Sequence, residues 1–307
     1  VHDKAYFIFD SLDFIGMTTE QYHFYSSENA LIGQQGPEES GFEAIMHAED
    51  TETFLIIREA IPHEKQLEIW QPSVVEARVM PDDTYQVLEE CRVAYHFNSE
   101  NKGWEGGAYF YNDDGDRFIL GLCEGNWCEG GKKGRDAGNG RAILTKKGVD
   151  DNGDCVWDPI KEVPIPKEAA FIDYADIAVW NSKKTATIAI VSQENAAVWI
   201  GTLDKHKWEI QGPGVTHHFP RDAHCEKIYC NIEGVAFLDT YRLLTTSDRA
   251  KKDQPYGCVD RDQSLQIFLL PKPINETDPV PVDDLTSYPK PWLPSQRKDK
   301  SNPHPMV

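Results

Sequence analysis

One pattern constrains this chain more than any other: a hairpin that recurs four times with acids at its ends. The segments "FEAIMHAEDTETFLIIREA" from Phe42, "WEGGAYFYNDDGDRFILGLCEGN" from Trp104, "ADIAVWNSKKTATIAIVSQEN" from Ala175 and "IEGVAFLDTYRLLTTSDRA" from Ile232 share one plan. Each has a leading acid, an apolar strand, a polar turn, a second apolar strand and a trailing acid. The leading acids are Glu43, Glu105, Asp176 and Glu233; the trailing acids are Glu59, Glu124, Glu194 and Asp248. Short runs of Val, Ile, Phe, Tyr, Trp and Thr, broken by Gly, Asn and Asp, read as strands and turns, while helix signals are scarce. The fold class is all-β.

Two further strand-like stretches follow the hairpins, "GRAILTKKG" and "CVWDPIKEVPIP" after the second, "AAVWIGTL" and "KWEIQG" after the third. Four antiparallel strands per repeat, recurring roughly every sixty residues, describe the blades of a β-propeller. Five blades is the favoured count, with four and six open. The segment "YFIFDSLDFIGMTTEQYHFYSSEN" reads as a degenerate fifth blade with Asp10 and Glu28 in the acid positions. Alternatively, "KAYFIFD" completes the last blade, whose third strand is "LQIFLLP", Leu265 to Pro271. Residues 1–270 would then form one propeller domain, and the proline-rich residues 271–307 an extended surface strap.

In a propeller the first strand of each blade lines the central channel, so both acids of every hairpin fall at one rim. Counting from the middle of each polar turn sets the leading acid opposite the trailing one. Like charges opposite each other in a sheet repel, and several pairs around one axis repel more in a partly desolvated channel. A divalent cation offsets this most directly. Carboxylate oxygens favour Ca²⁺, with Mg²⁺ or another divalent cation as alternatives. The leading four acids are the better ligands, and the trailing four either support them or are salt-bridged. Shared protons or pairing with Arg58, Arg249, Lys251 and Lys252 are the competing explanations.

The same rim collects the polar loops. "CEGNWCEGGKKGRDAGNGR" from Cys123 lacks the spacing and strand-to-helix context of a phosphate-binding P-loop. "THHFPRDAHCEKIYC" brings His217, His218 and His224, and "SDRAKKDQPYGCVDRDQ" brings Arg249 and Lys251. "DDGD" at 113–116 and "DDNGD" at 150–154 resemble calcium loops but lack the downstream Glu of an EF-hand, so they read as turns.

A net charge of −20 excludes a nucleic-acid or anionic-membrane surface over most of the molecule. No apolar run reaches membrane-spanning length. The seven cysteines have no zinc pattern. Cys123 with Cys128, and Cys225 with Cys230, are spaced for short closed loops; Cys91 or Cys155 reads as the odd, buried thiol. Disulfides, the sequon at Asn275 and a start without Met fit a secreted, monomeric glycoprotein.

"IEGVAF" at Ile232 to Phe237 with "TTSDR" at Thr245 to Arg249 resembles the calcium-containing propeller esterases, the gluconolactonase/paraoxonase-like and phytase-esterase-like group. The resemblance implies a channel Ca²⁺ held by Glu233, with Glu43, Glu105 and Asp176 at equivalent positions. It implies a secreted hydrolase of phosphoesters, lactones or related esters, acting on an anionic small molecule or polysaccharide. An outer acid, His217 or His218 would serve as general base and Arg249 with Lys251 as the clamp on developing charge. The alternatives are a glycan- or protein-binding propeller with rim aromatics Trp104, Trp127 and Tyr256, and a polysaccharide lyase.

Overall fold

The computed structural model describes residues 6–8, 23–25, 41–51, 53–63, 66–80, 85–98, 102–252 and 254–270. Asp10, Glu28, Asn275 and the segment 271–307 lie outside the described residues. Strands β1 (Tyr6–Ile8) and β2 (His23–Tyr25) pair antiparallel in a sheet of their own, so among the described residues of "KAYFIFD" none joins the sheet of the last blade. Four blades follow in order. The first holds β3 (Phe42–Ala48), β4 (Thr53–His63), β5 (Gln66–Val79) and β6 (Tyr85–Val93). The second holds β7 (Trp104–Tyr111), β8 (Arg117–Cys123), β9 (Arg141–Val149) and β10 (Cys155–Pro164). The third holds β11 (Asp176–Asn181), β12 (Thr185–Ser192), β13 (Ala197–Asp204) and β14 (Glu209–His218). The fourth has three described strands, β15 (Ile232–Phe237), β16 (Arg242–Ser247) and β17 (Leu265–Leu269).

Within each blade, neighbouring strands pair antiparallel in chain order. The first strands of consecutive blades, β3, β7, β11 and β15, pack on one another in turn. This is the arrangement of a propeller around an axis. It holds because alternating side chains give the sheets apolar faces, and the faces that consecutive blades turn to one another cover each other. The first and second blades bury Met46, Ile57, Val74, Tyr109 and Ile119 together. The second and third bury Phe110, Leu120, Ile177, Ile188 and Trp199. The third and fourth bury Ala189, Val191, Phe219, Ile232 and Leu243. At the axis the strands approach closely: a Cβ on Gly106 would lie 2.8 Å from the Asp176 Cα, so only glycine fits there.

The first two blades are joined further. The outer strands β6 and β10 pair in parallel, merging both blades into one eight-stranded sheet. Cys91 and Cys155 are bonded across this seam, with their Cα atoms 5.1 Å apart. The cysteine reading is therefore corrected. Neither Cys91 nor Cys155 is the odd thiol, because the parallel seam brings two residues distant in the chain side by side. Cys123 does bond Cys128. Cys230 bonds Cys258, not Cys225, and Cys225 is the exposed free thiol. Both aspartate-rich segments are turns: Asn112 Oδ1 accepts the amides of Asp114 and Asp116, and Asp150 Oδ1 those of Asn152 and Asp154.

A buried ion network also locks the first two blades, near the ends of the strands away from the acidic rim. The Glu76 carboxylate accepts from Arg117 at 2.8 and 3.0 Å, from Thr53 at 2.7 Å and from Lys147 at 3.1 Å. Arg117 also donates to the Tyr109 hydroxyl, which donates to Asp50. Burial raises the Glu76 pKa, but the bonds from Arg117, Thr53 and Lys147 outweigh it and bring it from 4.5 down to about 2. Because the folded pKa is depressed, the stabilisation is complete above the unfolded value and fades as pH falls from 4.5 towards 2. Glu76→Gln, which leaves Arg117 and Lys147 short of a counterion, should cost about 3 kcal/mol at pH 7 by urea unfolding. The difference from the parent protein should shrink as the pH is lowered through that window.

Candidate functional site

The strand register places the acids differently from a count made at the turn midpoints. In three hairpins a β-bulge falls at the leading acid. Register shifts lie between Phe42 and Ala44, between Trp104 and Gly106, and between Ile232 and Gly234. Glu43, Glu105 and Glu233 are the extra residues of these bulges, where the strict alternation of the strand is broken. In these three hairpins the trailing acid then faces the residue just before the first strand. The Glu59 amide donates to the Gly41 carbonyl, the Glu124 amide to Gly103 and the Asp248 amide to Asn231. Leading and trailing acids are thus not direct cross-strand partners.

The third blade departs from this. Its ladder runs without a bulge from Asp176 opposite Val191. The Asp176 carboxylate spans to the next blade, accepting the Val235 amide at 2.8 Å and its neighbour Ile177's amide at 2.7 Å. Asp173, three residues earlier, takes the rim position instead, accepting from Ser192 Oγ at 2.5 Å and from the Glu194 amide at 3.1 Å. Glu194 turns outward into a two-pronged pair with Arg135, both bonds 2.7 Å, which lowers its pKa.

Three of the eight predicted acids come together. Glu59, Glu105 and Glu124 each bring a carboxylate oxygen within 4.8 Å of the others. Two come from the second blade and one from the first, so the group forms at the blade junction. Glu59 is only 3% exposed and accepts the Gly103 amide at 3.0 Å. Burial drives its pKa up, the Gly103 bond opposes this, and Glu43 and Glu124 raise it further; it is lifted from 4.5 to about 7. Glu124 is also raised, first by burial and then by Asp173 and Glu43, although Lys102 is ion-paired with it and pulls the other way. Asp173 is raised chiefly by burial. Glu43, Asp176, Glu233, Glu194 and Asp248 stand outside the three-carboxylate group, although the Glu43 charge still acts on Glu59 and Glu124. The second set with close donor atoms, Glu89, Cys91 and Cys155, is committed to the disulfide and to Lys147.

Oxygens bound to one Ca²⁺ at 2.3–2.6 Å lie within about 5 Å of each other. The separation and the all-carboxylate donor set of Glu59, Glu105 and Glu124 fit such an ion.

The flanking loops are rigid. Asn126, fully buried, donates to the carbonyls of Gly134 and Phe171 and accepts the Asn139 amide, pinning the glycine-rich loop onto the third blade. A Cβ on Gly134 would meet the Glu129 carbonyl at 2.0 Å, so this glycine serves close packing. Lys251 Nζ donates to Gln193 at 3.0 Å, which ties the last blade to the third, and Arg249 is exposed beside it. His217 and His218 lie on β14, the fourth strand of its blade and about 14 Å of sheet from β11. Burial lowers the His217 pKa. Of the rim aromatics, Trp104 is fully buried, whereas Trp127 and Tyr256 are exposed. Asp173 and Lys102 were missed in the sequence; Asp173 in "FIDYAD" stands beside the chosen Asp176 and no residue pattern separates them.

No family model and no curated protein matches the chain. Among solved structures it is similar to an exo-1,5-α-L-arabinanase from a bovine ruminal metagenomic library, with TM-score 0.41, 10% identity and coverage of 81% of this chain and 82% of that one. It is also similar to the GH43_1 enzyme from Xanthomonas citri complexed with xylose (0.39, 11%, 73% and 67%). A third is an exo-β-1,3-galactanase from Phanerochaete chrysosporium (0.37, 8%, 76% and 45%). Likeness at this level transfers no residue roles, and no calcium esterase is among these three.

A raised carboxyl pKa binds protons in the folded state, so Glu59 makes stability fall as pH rises from 4.5 to about 7 and remain low above. Glu59→Gln should therefore raise the Tm at pH 8 in chelator by at least about 2 °C, and by less at pH 5, as read by scanning calorimetry.

Proposed function

We propose that the protein is a secreted hydrolase whose centre is the Glu59–Glu105–Glu124 group at the channel mouth, acting on an ester or glycosidic bond with a divalent cation held there. The observation that carries this reading is the convergence of three carboxylates within 4.8 Å, one of them almost fully buried, with Lys102 paired to Glu124. Three such charges repel strongly at low dielectric, and Ca²⁺ suits the donor set. A bound cation would supply Lewis acidity towards the scissile group or an attacking water. Glu105, re-aimed by its bulge, and Glu124 are the ligand oxygens nearest solvent. Glu59, fixed by the Gly103 amide, is placed to hold or move a proton. Arg249 and Lys251 face negative charge arriving at the rim. Of the two candidates for the base, an outer acid is preferred here over His217 or His218, which lie on β14, three strands out from β11. Three disulfides fit an oxidising, extracellular setting.

The burial of Glu59 favours a second reading. Without a metal, Glu59 would keep its proton as a general acid while Glu105 or Glu124 acts as base or nucleophile, the two-carboxylate arrangement of glycosidic cleavage.

Chelator-dialysed protein should bind Ca²⁺ in calorimetric titration, and its Tm should rise with added CaCl₂. Hydrolysis of p-nitrophenyl esters, phosphates or glycosides should fall in EDTA, recover with Ca²⁺, and drop about 100-fold in Glu105→Gln. Chelator-insensitive hydrolysis lost in Glu59→Gln would select the second reading. Turnover unaffected by both substitutions would overturn the site.

A further inference from the structure

We infer that Trp127 is the stacking platform of a polysaccharide-binding subsite on the acidic rim, an assignment that rests on the hydrolase reading and names its substrate class. Trp127 lies in the β8–β9 connection, three residues beyond Glu124, and remains 40% exposed. Everything around it holds the indole rigid. The Cys123–Cys128 bond closes its loop. Its backbone and that of Cys128 sit in the left-handed region, at φ 60 and 53, which a bulky side chain adopts only when its surroundings impose it. The indole Nε1 donates to Asp136 at 3.3 Å, fixing the ring's azimuth.

One face of the ring is occupied. The Arg141 guanidinium lies 4.4 Å from its centroid and is only 12% exposed, itself held by Glu162 at 2.7 Å and the Gly140 carbonyl at 2.8 Å. The exposed 40% of Trp127 is what Arg141 and the loop leave open to solvent. Lys133 Nζ also lies over the ring, so a cationic ligand would meet two positive charges already in place, which argues against lysine side chains or quaternary amines. A net charge of −20 argues against nucleobases of a polyanion. The apolar C–H face of a sugar ring is what remains suited to a flat indole with polar groups at its margin. Lys133, 5.9 Å from the centroid, and Asp136 provide hydrogen-bonding groups for hydroxyls. Trp127 stands at the head of β9, two strand spacings or about 10 Å from the inner strand. A chain stacked there would extend over the carboxylates, so the platform binds a sugar removed from the one cleaved.

The test is native affinity electrophoresis in gels containing soluble arabinan, xylan, galactan or polygalacturonate, run in EDTA. The parent protein should be retarded by at least one, the acidic or the neutral chains indicating which kind it takes. Trp127→Ala should weaken that retardation about tenfold, while Trp127→Phe stays within about threefold and both keep the parent Tm. In the parent protein, the retarding polysaccharide should protect Trp127 from N-bromosuccinimide oxidation mapped by mass spectrometry, which needs no variant to fold. No retardation in any gel, equal retardation of Trp127→Ala, or no protection would overturn the inference. If the catalytic reading fails, retardation survives; if only this inference fails, chelator-sensitive hydrolysis survives.

Discussion

The molecule depends on one constraint: the apolar faces that consecutive twisted sheets turn to one another cannot be left to water. Covering them stacks the blades in chain order with their first strands side by side. The three apolar clusters, each shared by two consecutive blades, are the physical form of that solution. Burying them draws the first strands together at the axis, where Gly106 admits the backbone of Asp176. The acidic rim is thus brought together by packing that has nothing to do with charge.

Given that convergence, the β-bulges decide what the rim can do. An extra residue in β3, β7 and β15 releases Glu43, Glu105 and Glu233 from the alternation of the strand. Where the bulge is missing, Asp176 becomes an interblade clamp to the Val235 amide and Asp173 moves to the rim. The repeat is therefore not functionally symmetric. The carboxylates meet between the first and second blades, which are also joined by the β6–β10 seam, the Cys91–Cys155 bond and the Glu76 network. A cluster of like charges is kept at the junction with the most covalent and ionic reinforcement.

Hairpin positions, the all-β class and the four-strand repeat were legible in the sequence, because strand alternation and Asp-Gly or Asn-Gly turns are local. The Cys123–Cys128 bridge was legible for the same reason, being closed within one loop. The other bridges were not. Cys91 and Cys155 meet only through a parallel pairing of two outer strands, and Cys230 reaches Cys258 across a loop whose path depends on the last blade. Counting outward from turn midpoints put Glu43 opposite Glu59, but one bulge residue alters the register and leaves Glu59 opposite Gly41.

By itself, then, the sequence determined which residues form strands, that acids mark their ends, and that the surface is strongly acidic. These follow from alternation, turn chemistry and composition, all properties of short stretches. Only the tertiary structure decided which acids share a site, which are neutralised by Arg135 or Lys102, and which cysteines bond. Those outcomes depend on bulges and on contacts between blades. A shift of one residue in register turns a side chain from the channel to the core, and a pattern read along one strand does not show it.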